Sequence, residues 1–431
     1  MVISSIDLKG GKVVQLKNGK DLVLQRDDAE NLIHSFDKFG EVAIIDLDAA
    51  LGNTDTKGGT ANAGLLKSLL RKGDVRVGGG IRSVKRAKEL VSLGAQKVIV
   101  GSAAWRQNRG AGESAVNTPF LEDLCRVVGK QRVIVSVDSI EGKIAVKGWT
   151  EATSIPLVEG AREAQRFAGE LLFTCIEKEG CMEGTNMQLA RALREAVDCR
   201  VTVAGGVSTL EEVASLAKLG CDVQLGMALY TGAVSLSECF VECLDWQKTG
   251  GLIPVIVQSE AGEVLMLGFA NKEALKTSFD TSRLTFFSRT KDRLWTKGET
   301  SGHYLNLVKV RADCDHDTLL ATVIPTGGVC HTGSYSCFSS EAIAKSSMER
   351  LYEVIGERLD NPHPGSYTAT LNDVRVREKI LEEAEELTQA SSREDVIWEA
   401  ADLLYFVSVL MRRERVSWQE IYDELDRRHK K

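Results

Sequence analysis

Between residues 310 and 338 the chain reads VRADCDHDTLLATVIPTGGVCHTGSYSCF. Asp313, Asp315 and Asp317 stand at every second position, Cys314 sits among them, and Cys330 and Cys337 follow. Carboxylates are hard oxygen ligands that suit Mg2+, whereas thiolates suit Zn2+. Three thiolates leave a fourth zinc position for water, which is the arrangement of a catalytic site. Zinc lowers the pKa of that water to about 7 and so supplies a hydroxide nucleophile at neutral pH. Read as an extended strand, the stretch puts the three aspartates on one face and Cys314 on the other. A straight strand would hold two metals apart, so the chain must kink here or a second subunit must contribute.

A second acidic group lies downstream. Glu382, Glu383 and Glu386 fall within KILEEAEEL, and Glu399 and Asp402 are three apart in WEAADLLY. Steps of three and four bring side chains onto one helix face. The first helix alone reads as a solvated acidic face. The second does not, because Trp398, Leu403, Leu404, Tyr405 and Phe406 surround its two acids with apolar surface. Pairing the helices would gather five carboxylates around Mg2+, which bridges diphosphate oxygens and orients an attacking water.

The elements that must position further chemistry lie upstream. Residues 1 to about 245 alternate β-branched runs with amphipathic helical patterns such as SVKRAKELVSLG. The runs VISSIDL, VAIIDLD, DVRVGGGIR, QKVIVGS, RVIVSVD, LLFTCIE, RVTVAGGV and DVQLGMA make eight strands, which fits a (β/α)8 TIM barrel. The segment also echoes itself. VGGGIRS at 77–83 returns as AGGVST at 204–209, and VIVGSAAW at 98–105 returns as VQLGMALY at 223–230. Gly79 to Gly205 is 126 positions, Gly101 to Gly226 is 125, and Asp7 to Asp138 is 131. Two half-barrels are the simplest account. The turns at Gly79–Gly80, Gly101–Ser102, Gly205–Gly206 and Gly226 expose backbone N–H groups, so each half offers anion sites at the mouth. A ligand with a phosphate at each end would then present its middle to Asp7 and Asp138, and two such carboxylates can act as acid and base.

Composition sets the frame. A length of 431 residues implies several domains, and 27% charged with 43% hydrophobic residues describes a soluble globular protein. A formal charge of −7 disfavours nucleic acid as a partner. No apolar run suggests a membrane span and the first residues do not read as a signal peptide, so the expected location is cytoplasmic. Ten cysteines scattered over such a chain read as core thiols or metal ligands, with Cys125, Cys199, Cys221, Cys239 and Cys243 in the core. DWQKTGG at 245–251 reads as a linker. Hairpin patterns over 252–340 predict a small β-rich (α+β) zinc domain, and residues 346–431 an all-α helical domain.

Three resemblances join these readings. SSIDLKGGKVVQL, IIDLDAALGN, VRVGGGIRS, VSVD with VKGW, and LLFTCIEKEG resemble the histidine-biosynthesis isomerase barrel over residues 1–245. That family converts phosphoribosylformimino aminoimidazole carboxamide ribotide from aldose to ketose. It implies Asp7 as general base, Asp138 as general acid and Thr174 as an orienting neighbour. The chain departs from the family pattern at Gln15, at Glu179–Gly180 and at Met227, where the family often has Arg, Asp–Gly and Arg. RLWTKGETSG, DCDHD, GGVCHTGSYSCF and GEVLMLGFANKEAL resemble phosphoribosyl-AMP cyclohydrolase over 252–340. The implication is zinc on Cys314, Cys330 and Cys337, magnesium on Asp313, Asp315 and Asp317, His331 as a proton shuttle, and a dimer whose zinc site draws on both chains. Trp295, Lys297, Thr300 and Ser301 would shape the nucleotide pocket. The acidic helices, with GSYTATL ahead of them, resemble phosphoribosyl-ATP pyrophosphohydrolase over 346–431, with magnesium on Glu382, Glu383, Glu386, Glu399 and Asp402, Glu383 and Glu386 at the reacting centre, and Lys379 on phosphate. Together they imply consecutive steps on small-molecule phosphoribosyl nucleotides and a homodimer formed through the cyclohydrolase and helical domains. The alternatives are a bifunctional hydrolase with an inactive barrel scaffold and a non-catalytic nucleotide sensor.

Overall fold

A computed structural model describes residues 1–54, 59–106, 113–338, 347–361 and 366–429; the junction expected at 340–346 lies outside the described residues. The eight β-branched runs form eight parallel strands: β1 (Val2–Lys9), β2 (Val42–Asp46), β3 (Val75–Gly78), β4 (Lys97–Val100), β5 (Val133–Ser136), β6 (Glu170–Thr174), β7 (Arg200–Ala204) and β8 (Asp222–Leu225). Each pairs with the next, and Val2–Ser4 pair with Val223–Leu225 to close the ring. Beyond that contact the end of β1 turns to an antiparallel hairpin, Lys12–Lys17 with Asp21–Arg26. The expected barrel is what the chain builds.

Its halves match in detail. Gly79 and Gly205 adopt φ of +99° and +89°, a region in which a side chain is strained. Ser83 and Thr209 then cap the following helices by accepting the N–H of Arg86 and of Glu212. Gly101 and Gly226 share an unusual backbone, with φ, ψ of −100°, −108° and −116°, −98°.

At the base of the barrel, where the strands begin, the interior is charged. Fully buried Arg76 bonds Glu170 and places Nε 2.8 Å from Glu41, and Lys97 reaches Glu41 at 2.7 Å and Glu170 at 3.2 Å. Asp222 pairs with Arg200 at 2.5 Å and with the N-terminal amine. Burial alone would raise these carboxyls, but the cations outweigh it: Glu41 is brought down to about 2, and Glu170 and Asp222 are also lowered.

The chain divides into two compact units. The first holds residues 1–257 and 267–327, the second 258–266 and 328–429. After the barrel come a four-stranded sheet (order Val264–Ala270, Ile253–Ser259, Leu319–Pro325, Leu305–Ala312) and the hairpin Thr285–Ser288 with Arg293–Thr296, and the strand Leu305–Ala312 lies beside the base of the barrel. Lys309 and Arg311 pair with Asp37 and Asp74 at 2.8–3.1 Å, and the Val310 N–H donates to the Lys38 carbonyl at 2.8 Å. Phe39, Phe240 and Phe279 meet with ring centroids 5.0–6.0 Å apart.

In the second unit Ser347–Asp360, Asp373–Gln389, Arg393–Arg413 and Trp418–His429 are helices. Their core gathers Ile355, Leu371, Val376, Phe406 and Val409. No helix among the described residues is long and apolar enough to cross a membrane.

Candidate functional site

The mouth of the barrel encloses a cavity of about 220 Å3. Asp7, Asp138 and Thr174 line it, as do Gly79, Gly80, Gly101, Ser102, Gly205, Gly206 and Gly226, so the structure brings every expected barrel residue to one place. Asp7 lies near the end of β1 and accepts the Ser5 hydroxyl at 2.9 Å. Burial pushes its carboxyl up to about 6, with the Ser5 bond opposing. Asp138 follows β5 and its Oδ2 accepts the Trp149 indole N–H at 2.7 Å, while its buried Oδ1 has no hydrogen-bond partner. Burial raises Asp138 too, opposed by Trp149 and by the neighbouring Ser136 and Thr174 hydroxyls.

Two further residues shape this cavity. Glu179 lines it, and its carboxyl is pushed up to about 8 by burial and by the charges of Asp7 and Asp138. Its only mark in the sequence is the departure from Asp–Gly. Trp149 is carried by Lys147–Gly148–Trp149, three successive residues at positive φ (55°, 62°, 69°) in the excursion after β5. The indole also lies against the hairpin turn: a Cβ on Gly19 would sit 2.9 Å from its ring. Nothing in VKGW alone announces the bond to Asp138.

The three aspartates come together by another route than strand alternation. The strand ends at Ala312, and residues 313–318 form a turn with His316 at φ +62°. Asp313 accepts the backbone N–H of Asp317 at 3.0 Å and of Thr318 at 3.2 Å, and carboxylate oxygens of Asp313, Asp315 and Asp317 lie within 4.8 Å of one another. A turn supplies the expected kink. Hard oxygen donors at this spacing fit a divalent cation. Cys314, in the same turn, is exposed.

In the second unit the Thr332 hydroxyl donates to Cys330 Sγ at 3.1 Å, and His331 Nδ1 lies 3.7 Å from that sulfur. Hydrogen bonding by Thr332, with Cys337 also contributing, holds the Cys330 thiol below the usual range. Cys337 and His331 are exposed. Accessible thiols with one favouring thiolate fit a soft cation.

On the long helices, carboxylate oxygens of Glu383, Glu386 and Glu399 lie within 4.8 Å of one another, which also fits a hard cation. Glu382 turns to Lys379 at 2.9 Å, and Asp402 acts on Glu399 through its charge. Glu399 is raised by burial and by Glu386, Glu383 and Asp402. Lys379, the expected phosphate contact, places Nζ 2.6 Å from buried Glu383 and over the Phe406 ring. In the hairpin of the first unit, Trp295 rests on Phe286 with centroids 5.8 Å apart, and buried Lys297 places Nζ 6.0 Å from the Trp295 ring. Thr300 and Ser301 follow in an exposed turn.

Comparison with known proteins divides the chain into three. Residues 1–235 match the family model described as histidine biosynthesis protein, residues 266–339 that of phosphoribosyl-AMP cyclohydrolase, and residues 348–429 that of phosphoribosyl-ATP pyrophosphohydrolase. The histidine biosynthesis bifunctional protein HisIE of Vibrio cholerae is 43% identical over 197 residues, covering 43% of this chain and 94% of that protein. The protein of the same description from Pasteurella multocida is 46% identical over 202 residues, covering 44% and 99%. That of Escherichia coli K12 is 44% identical over 193 residues, covering 43% and 95%.

Proposed function

The chain belongs to the histidine biosynthesis protein family and carries phosphoribosyl-AMP cyclohydrolase and phosphoribosyl-ATP pyrophosphohydrolase domains after its barrel, and from this premise we propose three consecutive reactions on one polypeptide. The helical domain removes diphosphate from phosphoribosyl-ATP. The cyclohydrolase domain hydrolyses the adenine ring of the resulting phosphoribosyl-AMP between N1 and C6. The barrel isomerises the product ribotide from aldose to ketose.

One observation carries the barrel's part: two carboxyls, both raised by burial, face one cavity between doubled glycine turns. The isomerisation moves protons without net loss or gain. Asp138 gives a proton to the ribose ring oxygen as its bond to C1 opens, and Asp7 removes the proton on C2. The enolamine so formed tautomerises to the ketone. A base with a pKa of about 6 is mostly ionised at pH 7 yet close enough to it to exchange protons efficiently.

For ring opening, the thiolates of Cys314, Cys330 and Cys337, gathered from two copies of the chain as the resemblance implies, would hold Zn2+, which when bound would lower the pKa of a water. His331 moves a proton beside it. Asp313, Asp315 and Asp317 would hold Mg2+ in the cyclohydrolase domain, and Glu383, Glu386 and Glu399 with Glu382 and Asp402 would hold it in the helical one. The chain works as a homodimer through these two domains.

A scaffold role for the barrel is favoured by Gln15 and Met227 at positions where the resembling family often has arginine, and by the ion pairs at the barrel base. Feeding phosphoribosyl-ATP to the full chain with Mg2+ and Zn2+ decides between them. Ketose ribotide as the end product supports three activities, and accumulation of the aldose leaves the barrel as scaffold.

A further inference from the structure

The linker between the barrel and the following sheet enters the aspartate turn. Lys248 Nζ lies 2.5 Å from Asp315 and is also bonded to Asp317, and its side chain is half exposed. One backbone tie holds the linker at this turn, and a second bond folds the linker so that Lys248 faces it. The Asp245 N–H donates to the His316 carbonyl at 2.8 Å, and the Lys248 N–H donates to the Asp245 carboxylate at 3.0 Å. The lysine is therefore delivered to the acids by its own backbone, from 67 positions away from Asp315.

The charge arithmetic explains why it settles there. Three carboxylates this close repel one another, and either a cation or protonation must relieve them. Asp313 Oδ1 accepts two backbone N–H groups, while Asp315 and Asp317 take the ammonium. A single ammonium is a compact point charge on a flexible stem, so it can mimic a cation in the turn and still withdraw into solvent. The helical domain offers an instructive contrast. There the lysine among the acids, Lys379, stands three and four residues from its partners on the same helix. Lys248 instead belongs to the linker that precedes the strand Ile253–Ser259.

We infer that Lys248 is an internal cation of the aspartate turn, holding Asp315 and Asp317 in place until a divalent ion displaces it, so that metal binding at this turn releases the side-chain contact from the linker. The inference rests on the magnesium assignment proposed above for Asp313, Asp315 and Asp317. Its consequence is a weaker metal affinity than the bare carboxylates would have, and a linker whose contact with the turn depends on metal occupancy.

Mn2+ titration followed by electron paramagnetic resonance tests both levels in the full chain. Glu383→Gln with Glu399→Gln serves as the background, so that the helical cluster does not contribute. Lys248→Met should bind Mn2+ about 3-fold tighter or more, the scale on which removing an exposed competing ion pair acts. Lys248→Arg, which keeps the charge, should stay near the parent. Equal or weaker binding by Lys248→Met overturns the inference while the metal assignment stands. If Asp315→Asn leaves the titration of the parent unchanged, the ion is not in the turn, and the assignment and the inference fall together. Thermal melting without metal separates a misfolded variant from an altered site: Lys248→Arg must melt with the parent, and it carries the charge comparison if Lys248→Met does not.

Discussion

The two ends of the barrel bury carboxylates in opposite ways. At the base, Glu41, Glu170 and Asp222 lie against Arg76, Lys97, Arg200 and the N-terminal amine, and all three are held below the usual carboxylate range. At the mouth, Asp7, Asp138 and Glu179 share a cavity, no lysine or arginine among the described residues pairs with them, and all three are raised. Burial acts in the same direction at both ends, so the difference lies in the supplied counter-charge. Paired acids at the base tie strand beginnings together, and the outer side of that end lies beside the strand Leu305–Ala312. Unpaired acids at the mouth destabilise the fold and are retained where a substrate would meet them. The contrast singles out the mouth as the end fitted to the isomerisation proposed above.

Removing the counter-charge at the base should have the largest effect. Arg76→Met leaves Glu170 buried and Glu41 partly buried, with Lys97 as the cation that still pairs with both. Breaking a buried pair from one side costs about 3–5 kcal/mol. Chemical denaturation of the full chain should show a loss of that size in the barrel transition. A loss below about 1 kcal/mol would mean that the network is ornamental and the comparison wrong at this end.

The corresponding substitution at the mouth should leave stability intact and remove turnover. Asp7→Asn and Asp138→Asn should each lower kcat of the proposed isomerisation by about 10²-fold or more, because proton transfer by a positioned group contributes on that scale. Melting temperature should hold or rise. A variant that melts early and still isomerises would place the aspartate among the structural acids.

The two ends also predict opposite responses to pH. A carboxyl lowered to about 2, as Glu41 is, adds stability above its unfolded value near 4.5, and that contribution is lost as pH falls toward 2. A carboxyl raised to about 8, as Glu179 is, binds its proton more tightly in the folded state, so stability is lost as pH rises from about 4.5 through 8. Glu179→Gln should flatten the alkaline side of the stability curve and raise the melting temperature at pH 8 by about 2 °C or more, while leaving the acid side unchanged. Parallel curves for the two proteins from pH 5 to 9 would show that Glu179 carries no such penalty.

How far could these features be read in advance? The eight strands, the doubled turns and the Asp7–Asp138 pair follow from local patterns, because β-branched periodicity and glycine turns are written within a few residues. The base network is not local. Arg76 sits in DVRVGG, where an arginine in a strand carries no sign of facing inward, and its partners Glu41 and Glu170 are 35 and 94 positions away. The aspartate turn misleads for a different reason. Alternate acids imitate a strand face, while the turn depends on positive φ at His316, a residue type that gives no glycine-like signal. Lys248 reads as one charge in a linker, and only tertiary placement sets it among the acids.

The smallest expected effect concerns the ion pairs on the outer side of the base. Lys309 lies 2.8 Å from Asp37 and 2.9 Å from Asp74, with Arg311 at 3.1 Å and 2.9 Å from the same acids. Burial would raise Asp74, but Lys309 and Arg311 outweigh it and the carboxyl is lowered. Its side chain is 38% exposed, so water screens much of that attraction. A double-mutant cycle with Asp74→Asn and Lys309→Met should return a coupling of about 0.2–1 kcal/mol, well under the loss expected for Arg76→Met. The same variants should leave isomerase KM and kcat at parent values, since the pairs lie at the end of the barrel away from Asp7 and Asp138. A fall in kcat with stability unchanged would show that the two ends communicate, and the separation of a structural base from a reactive mouth would then fail.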